Sequence, residues 1–241
     1  MIGQLNIVIT MGGLGSRFKK AGYTVPKYMI EARGKTLFEW SMISLDGYKD
    51  IASKYFFLVR KEDNSSNFIN NCCEKLGITN YRIIEIDHLT DGQATTAILA
   101  SDHWDKDAGL LIYNIDTYVE AGEMKASDLM GDGYIPCFYG QGDHWSFVKI
   151  DDSSKAIEVK EKVRISDNCT LGAYYFRTCR LYEELYREYY KNNEKMEKGE
   201  KYVAPLYNYL ISKGGKVYIS NINKEKVHVL GTPEELEKFL K

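Results

Sequence analysis

Leu5-Asn6-Ile7-Val8-Ile9-Thr10-Met11-Gly12-Gly13-Leu14-Gly15-Ser16-Arg17 decides the fold: an apolar run passes directly into a loop of small residues. The run predicts a buried strand over Leu5–Met11. In the loop, glycine lets backbone N–H groups approach an anion closely and reach the φ values this requires. Clustered N–H groups form an anion-binding concavity. Arg17 adds a planar fork and Lys27, after Pro26, a mobile point charge. Gly12, Gly13, Gly15, Ser16, Arg17 and Lys27 therefore point to a polyphosphate site, most simply for a nucleoside triphosphate. Taken alone, such a loop is often only a tight turn. It has neither the G-x-G-x-x-G spacing nor the Gly-Lys-Ser/Thr of a P-loop.

Outward from that strand, short apolar runs alternate with helical patterns. Strands are expected at Leu5–Met11, Tyr55–Val59, Tyr81–Ile86 and Leu110–Asn114, with helices at Thr36–Asp46, Asn64–Leu76 and Gly92–Trp104. Phe38, Met42 and Leu45 share one face of the first helix. The βαβα order predicts a mostly parallel sheet with helices on both faces, and ligands of such sheets bind beyond the carboxyl ends of the strands. The second half reads as shorter strands at Gly133–Tyr139, Trp145–Ile150, Ala156–Lys160 and Leu171–Phe176. Helices at Arg180–Asn192 and Val203–Lys213 and a strand at Lys216–Ile219 follow. A last helix opens at Thr232-Pro233-Glu234-Glu235, where threonine caps, proline takes the first turn and Glu235 completes a capping box. Tyr182, Tyr186, Tyr189 and Tyr190 predict half-buried packing with a wet hydroxyl, with a base-stacking surface as the sharper alternative. The charged run Asn192–Lys201 predicts a solvated loop, and Trp145 the core of a strand pair, with a place facing the acceptor as the alternative.

A chain of 241 residues suits one large α/β domain. With 32 basic and 34 acidic residues the net charge is −2, so no global field draws nucleic acid or an anionic membrane, and phosphate binding must be local. The apolar runs fall short of a membrane span, and the start carries no basic n-region of a secretory signal. Cys72, Cys73, Cys137, Cys169 and Cys179 show no metal-ligand spacing, and their odd number argues against a complete disulfide framework. They read as reduced thiols of a cytoplasmic protein.

Three further segments carry chemistry. Asp116, past the end of an apolar strand, suits magnesium, which prefers hard oxygen ligands and keeps several waters; the alternative is a loop aspartate capping a turn. Gly92 and Gln93 open a helix where small residues admit a flat ring, and Gln93 offers a donor and an acceptor to a base edge, unless Asp91 simply caps that helix. Glu161-Lys162, read alone, is a surface strand pair.

The joint pattern G-G-x-G-S-R at Gly12–Arg17, eight residues, then Pro26-Lys27 resembles the signature of the sugar-phosphate nucleotidylyltransferases, the nucleoside-diphosphate-sugar pyrophosphorylases. Weaker matches follow in order. Asp116 resembles the family's strand-ending metal ligand, and Gly92 with Gln93 its base-reading element. Val159-Lys160-Glu161-Lys162 resembles the Val-x-Glu-Lys element beside the acceptor, and Gly172 belongs to a Gly-x-Tyr-x-Phe strand. Val229-Leu230-Gly231-Thr232-Pro233 resembles Asp-x-Gly-Thr-Pro, but Val229 stands where the family has a second metal-binding aspartate. Strand alternation points the adjacent His228 to the opposite face, which leaves Asn223 as a weak candidate.

The resemblance implies a Rossmann-like mixed, mostly parallel sheet of the nucleotide-diphospho-sugar transferase type with helices on both faces. It implies one nucleotidyltransferase domain over 1–241, with 1–120 the nucleotide-binding half and 121–241 the acceptor-binding half. The implied reaction joins a nucleoside triphosphate to a sugar 1-phosphate or similar phosphomonoester and releases pyrophosphate, supplying activated sugar for surface polysaccharide. Mg2+ is the implied cofactor, and a homo-oligomer is compatible with it. By resemblance and charge, Arg17 meets the leaving pyrophosphate, Lys27 the α-phosphate and Lys162 the acceptor phosphate, while Glu161 and Gly172 serve the acceptor. Alternatives are a nucleotide-sugar-dependent glycosyltransferase, whose Asp-x-Asp triplet is here Asn114-Ile115-Asp116, a cytidylyltransferase acting on a phosphate such as phosphocholine, and a non-catalytic nucleotide sensor.

Overall fold

In the computed structural model, which describes residues 3–192, 195–197 and 199–241, β1 (Leu5–Met11) is buried at every position but Thr10. After it come α1 (Ser16–Lys20), a hairpin of β2 (Glu31–Ala32) and β3 (Lys35–Thr36), and α2 (Leu37–Ile43). Next are β4 (Ala52–Arg60), α3 (Ser66–Leu76), β5 (Tyr81–Ile86), α4 (Gln93–Ile98), β6 (Gly109–Asn114) and β7 (Thr117–Val119). The second half holds β8 (Gly133–Tyr139), β9 (Ser146–Ile150), β10 (Ala156–Glu161), β11 (Asn168–Thr170) and β12 (Ala173–Phe176). It closes with α5 (Cys179–Tyr189), α6 (Ala204–Ser212), β13 (Val217–Ile222), β14 (Val227–Val229) and α7 (Pro233–Leu240).

One mixed sheet runs in the order β10-β9-β11-β8-β12-β6-β1-β4-β5, with β13 paired to β8. Its first half is parallel: β1 lies between β6 and β4, and β4 pairs with β5. The second half joins antiparallel through β12, which runs against both β6 and β8. Strand β1 alternates its faces. Leu5, Ile7, Ile9 and Met11 pack with Phe38 and Met42 of α2 and Ile69 of α3, whereas Val8 packs with Ala94 and Ala97 of α4 and Tyr182 of α5. Burial on both faces is what parallel strands covered by helices require. A wholly buried side chain such as Phe57 contributes about 2–3 kcal/mol by transfer alone.

Several helices are shorter than their patterns suggest. The helix expected over Gly92–Trp104 is only α4: past Ile98 the backbone tightens into three-residue turns, with Leu99 N–H donating to the Thr96 carbonyl, Ala100 N–H to Ala97 and Ser101 N–H to Ile98. The hairpin β2–β3, the β7–β14 ladder and the three-residue β11 have no strand signal of their own. Around α2 the capping box is complete: Glu39 N–H donates to Thr36 Oγ1 at 3.2 Å, and Thr36 N–H donates to Glu39 Oε2 at 2.7 Å. All five cysteines are buried thiols without disulfides. Among the described residues no helix is long and apolar enough to cross a membrane.

Candidate active site

The carboxyl ends of β1 and β6 open into a cavity of about 810 Å3. One wall carries Gly12, Gly13, Gly15, Ser16, Arg17, Lys27, Gly92, Gln93 and Asp116; the other carries Trp145, Glu161, Gly172 and Tyr202. Residues far apart in the chain converge here because the glycine loop leaves β1 where its parallel neighbour β6 also ends. Two glycines are demanded by close approach. Gly172 has φ +83°, and a Cβ there would fall 2.2 Å from Asn114 Nδ2. Gly92 has φ +137°, and a Cβ would fall 2.4 Å from the Lys201 carbonyl oxygen.

Arg17 is exposed on the cavity wall and makes no ion pair among the described residues. The Lys27 ammonium lies 2.7 Å from Asp116 Oδ2, both side chains being partly covered. Asp116 is fixed from below: its carbonyl accepts from Leu230 N–H at 2.8 Å, and Val229 pairs with Thr117 in the β14–β7 ladder. The cavity thus places two cations and a carboxylate around a space able to take phosphates.

Gln93 donates from its amide nitrogen to Thr10 Oγ1 at 3.2 Å and to Asn114 Oδ1, so that nitrogen already has partners within the protein. Glu161 accepts from Ser146 Oγ, and its carboxylate lies 3.4 Å from Lys162 Nζ. Lys162 itself is not on the cavity wall. It turns into a left-handed conformation, φ 53°, that ends β10, and its ammonium donates to Tyr202 Oη at 2.7 Å. Burial works against its charge, but the Tyr202 hydroxyl and Glu161 outweigh burial and hold its pKa above the ordinary lysine value.

Four readings of the sequence are corrected. The run Asn192–Lys201 is not merely a solvated loop (its Asn193, Glu194 and Lys198 lie outside the described residues). Lys201 is buried, its ammonium 2.8 Å from Asp91 Oδ2. Its backbone closes on the turn before α4: Lys201 N–H donates to the Asp91 carbonyl at 2.6 Å, and Ala94 N–H to the Lys201 carbonyl at 3.0 Å. A lysine in a charged run looks solvated because its partner lies far away in the chain. Trp145 precedes β9, half-buried, and faces the cavity with its ring on Phe138 and His144. Not all the helix tyrosines keep wet hydroxyls: Tyr182 donates to the Ala94 carbonyl at 2.7 Å, Tyr186 meets Thr95 at 2.8 Å, and Tyr190 donates to the Tyr202 carbonyl at 2.7 Å. Asn223 is exposed and caps a short turn through Glu225 N–H at 3.1 Å, away from the cavity. His228 lies, as alternation requires, on Tyr118 and beside Glu120. Sequence reasoning missed Tyr202, Glu200 and His144 on the wall; no local pattern marks them.

Asp116 offers a hard oxygen donor of the kind magnesium takes. Among the described residues no three His, Cys, Asp or Glu side chains gather around a metal. Magnesium at nucleotide sites takes only one or two carboxylates from the protein, and phosphate oxygens and water fill the rest of its shell. The donor set fits that ion.

No protein-family model and no curated protein matches the chain. Solved structures do. A nucleoside-diphosphate-sugar pyrophosphorylase from Vibrio cholerae RC9 is 40% identical over 97% of this chain and 99% of its own, with a TM-score of 0.89. The inositol-1-phosphate CTP transferase from T. maritima, 13% identical over 98% of this chain and 96% of its own, shares the fold with a TM-score of 0.76. So does HddC from Yersinia pseudotuberculosis, 18% identical over 98% of this chain and 97% of its own, with a TM-score of 0.68.

Proposed function

Since the chain belongs to the nucleoside-diphosphate-sugar pyrophosphorylase family of nucleotidyltransferases, we propose that it joins a nucleoside triphosphate to a sugar 1-phosphate, or a similar phosphomonoester, and releases pyrophosphate. The observation that carries this reading is the meeting of Arg17, Lys27 and Asp116 on one cavity whose far wall bears Glu161 and Gly172. In this reading 1–120 supplies the nucleotide-binding half of one domain and 121–241 the acceptor-binding half. The product is an activated sugar for surface polysaccharide, made in the cytoplasm.

An oxygen of the acceptor phosphate attacks the α-phosphorus, and pyrophosphate leaves opposite. A phosphomonoester has a second pKa near ~6, so the attacking oxygen is already ionised at neutral pH and no general base is needed. What the protein contributes is position and charge. The Gly12–Ser16 loop cradles the triphosphate with backbone N–H groups, Arg17 meets the leaving pyrophosphate and Lys27 the α-phosphate. Gly92 and Gln93 border the base. Lys162, turned from Tyr202 toward the cavity, meets the acceptor phosphate while Glu161 accepts from an acceptor hydroxyl. Asp116 would hold magnesium, which when bound offsets the charge gathered on the phosphates.

A second reading of the acceptor has its own support. The acceptor wall carries Trp145, Tyr174 and Tyr202 beside the carboxylates of Glu161 and Glu200. The Lys162 ammonium already lies 4.5 Å over the Tyr202 ring, so that ring takes a cation. A phosphomonoester with a cationic head, phosphocholine for example, suits the same wall. A matrix of nucleoside triphosphates against sugar 1-phosphates, polyol phosphates and phosphocholine, read by pyrophosphate release, tests both. Release with one triphosphate and one acceptor class is expected. Binding of a triphosphate with no release across the matrix would favour the sensor, and turnover of a nucleotide sugar without pyrophosphate the glycosyltransferase.

A further inference from the structure

The apolar Val229 leaves magnesium with one carboxylate from the protein. Resting on the reading above, we propose that Glu235, in the first turn of α7, supplies the second and stands in for the aspartate that position 229 lacks.

The two Thr-x-x-Glu patterns that open helices behave differently. At α2 the box closes in both directions through Thr36 and Glu39. At α7 only half of it forms: Glu235 N–H donates to Thr232 Oγ1 at 3.2 Å, and the carboxylate does not return to the cap. The Glu235 side chain instead lines the cavity with Asp116. A Cβ at Gly231 would lie 3.3 Å from Asp116 Oδ2 and 3.5 Å from Glu235 Oε2. The two carboxylates therefore flank Gly231, and the lack of a side chain there keeps the space between them open. The Leu230–Asp116 hydrogen bond and the β14–β7 pairing fix this arrangement. The Lys27 ammonium offsets only one of the two negative charges, which leaves a hard-oxygen pair with net negative charge for a divalent cation. One or two carboxylates plus substrate phosphates is the usual protein share of a magnesium shell.

The test reads metal binding without turnover. Mn2+ is titrated into the protein with an imido-triphosphate analogue and followed by electron paramagnetic resonance in wild type, D116N, E235Q and V229D/E235Q. E235Q is expected to weaken Mn2+ binding by roughly tenfold or more. The double variant should recover most of it, and the melting temperature of E235Q should stay unchanged because its carboxylate closes no cap. Equal Mn2+ affinity in E235Q and wild type overturns the proposal, whether or not E235Q loses stability. So does a wild type that binds no Mn2+ beyond what the nucleotide holds. A matrix without pyrophosphate release, with Mn2+ binding lost in E235Q, would count against the proposed reaction and leave the metal ligand standing.

Discussion

Lys27 and Arg17 are both cations at the end of β1, yet their surroundings give them different costs of removal. Lys27 is 18% exposed and paired with Asp116, whereas Arg17 is exposed without an ion-pair partner among the described residues. If Lys27 stabilises charge developing at the α-phosphate, Lys27→Ala lowers kcat by roughly 10²–10³, the effect of one preorganised donor. It also leaves a partly buried carboxylate unpaired, so the melting temperature falls. Arg17→Ala is expected to weaken turnover while stability stays within about 0.5 kcal/mol of wild type. Steady-state kinetics and thermal unfolding of the two variants check this, and a near-normal rate in Lys27→Ala would remove its assigned role. Both residues were legible from the sequence because glycine loop, arginine and proline–lysine form a local pattern. Glu235 was legible only as a cap, since the choice between closing a box and facing a cavity depends on Asp116, which is remote in the chain.

Elements show the same division. Strands β1 and β8 begin and end where their apolar runs do, because burial on both faces leaves a continuous apolar signature. Strands β7 and β14 are three residues each, too short for any period, and exist because they pair with one another. The segment ending in Lys201 is the clearest case. Its charges read as solvent-facing, but Asp91 neutralises Lys201, and backbone bonds on either side tie it to the start of α4. Burial opposes ionisation of Asp91, but bonds from Lys201 and Thr95 outweigh it and depress the pKa. A carboxyl with a folded-state pKa below the unfolded value, ~3.9, stabilises fully above that value and loses its contribution as pH falls through the folded pKa. Asp91→Asn is therefore expected to destabilise by about 1–2 kcal/mol near neutrality, the 37% exposure of Asp91 screening the pair. The gap from wild type should stay constant between about pH 6 and 8 and close in acid. Denaturant unfolding of both proteins across that range measures it, and a gap that widens in acid would contradict the pairing.

Across the whole molecule, a single sheet carries both walls of the cavity. Strand β6 ends at Asn114 beside Asp116 and also pairs with β12, whose approach is set by Gly172 against Asn114. A triphosphate bridging Arg17, Lys27 and the Gln93 turn would therefore brace elements that share one core. Binding to the folded state alone stabilises it by about 2.7 kcal/mol when the ligand is at 100 times its Kd. For a chain of this length each kcal/mol raises Tm by about 2–4 °C, so a saturating triphosphate with magnesium should raise it by roughly 5–10 °C. Because the halves are proposed to form one domain, the transition should move as a unit. Tryptophan fluorescence samples both halves, through Trp40 and Trp104 in the first and Trp145 on the cavity wall. It should give the same midpoint as far-UV circular dichroism with and without ligand. If the ligand shifted one probe and left the other in place, the halves would unfold separately, and the cavity would be a contact between two units rather than a site within one.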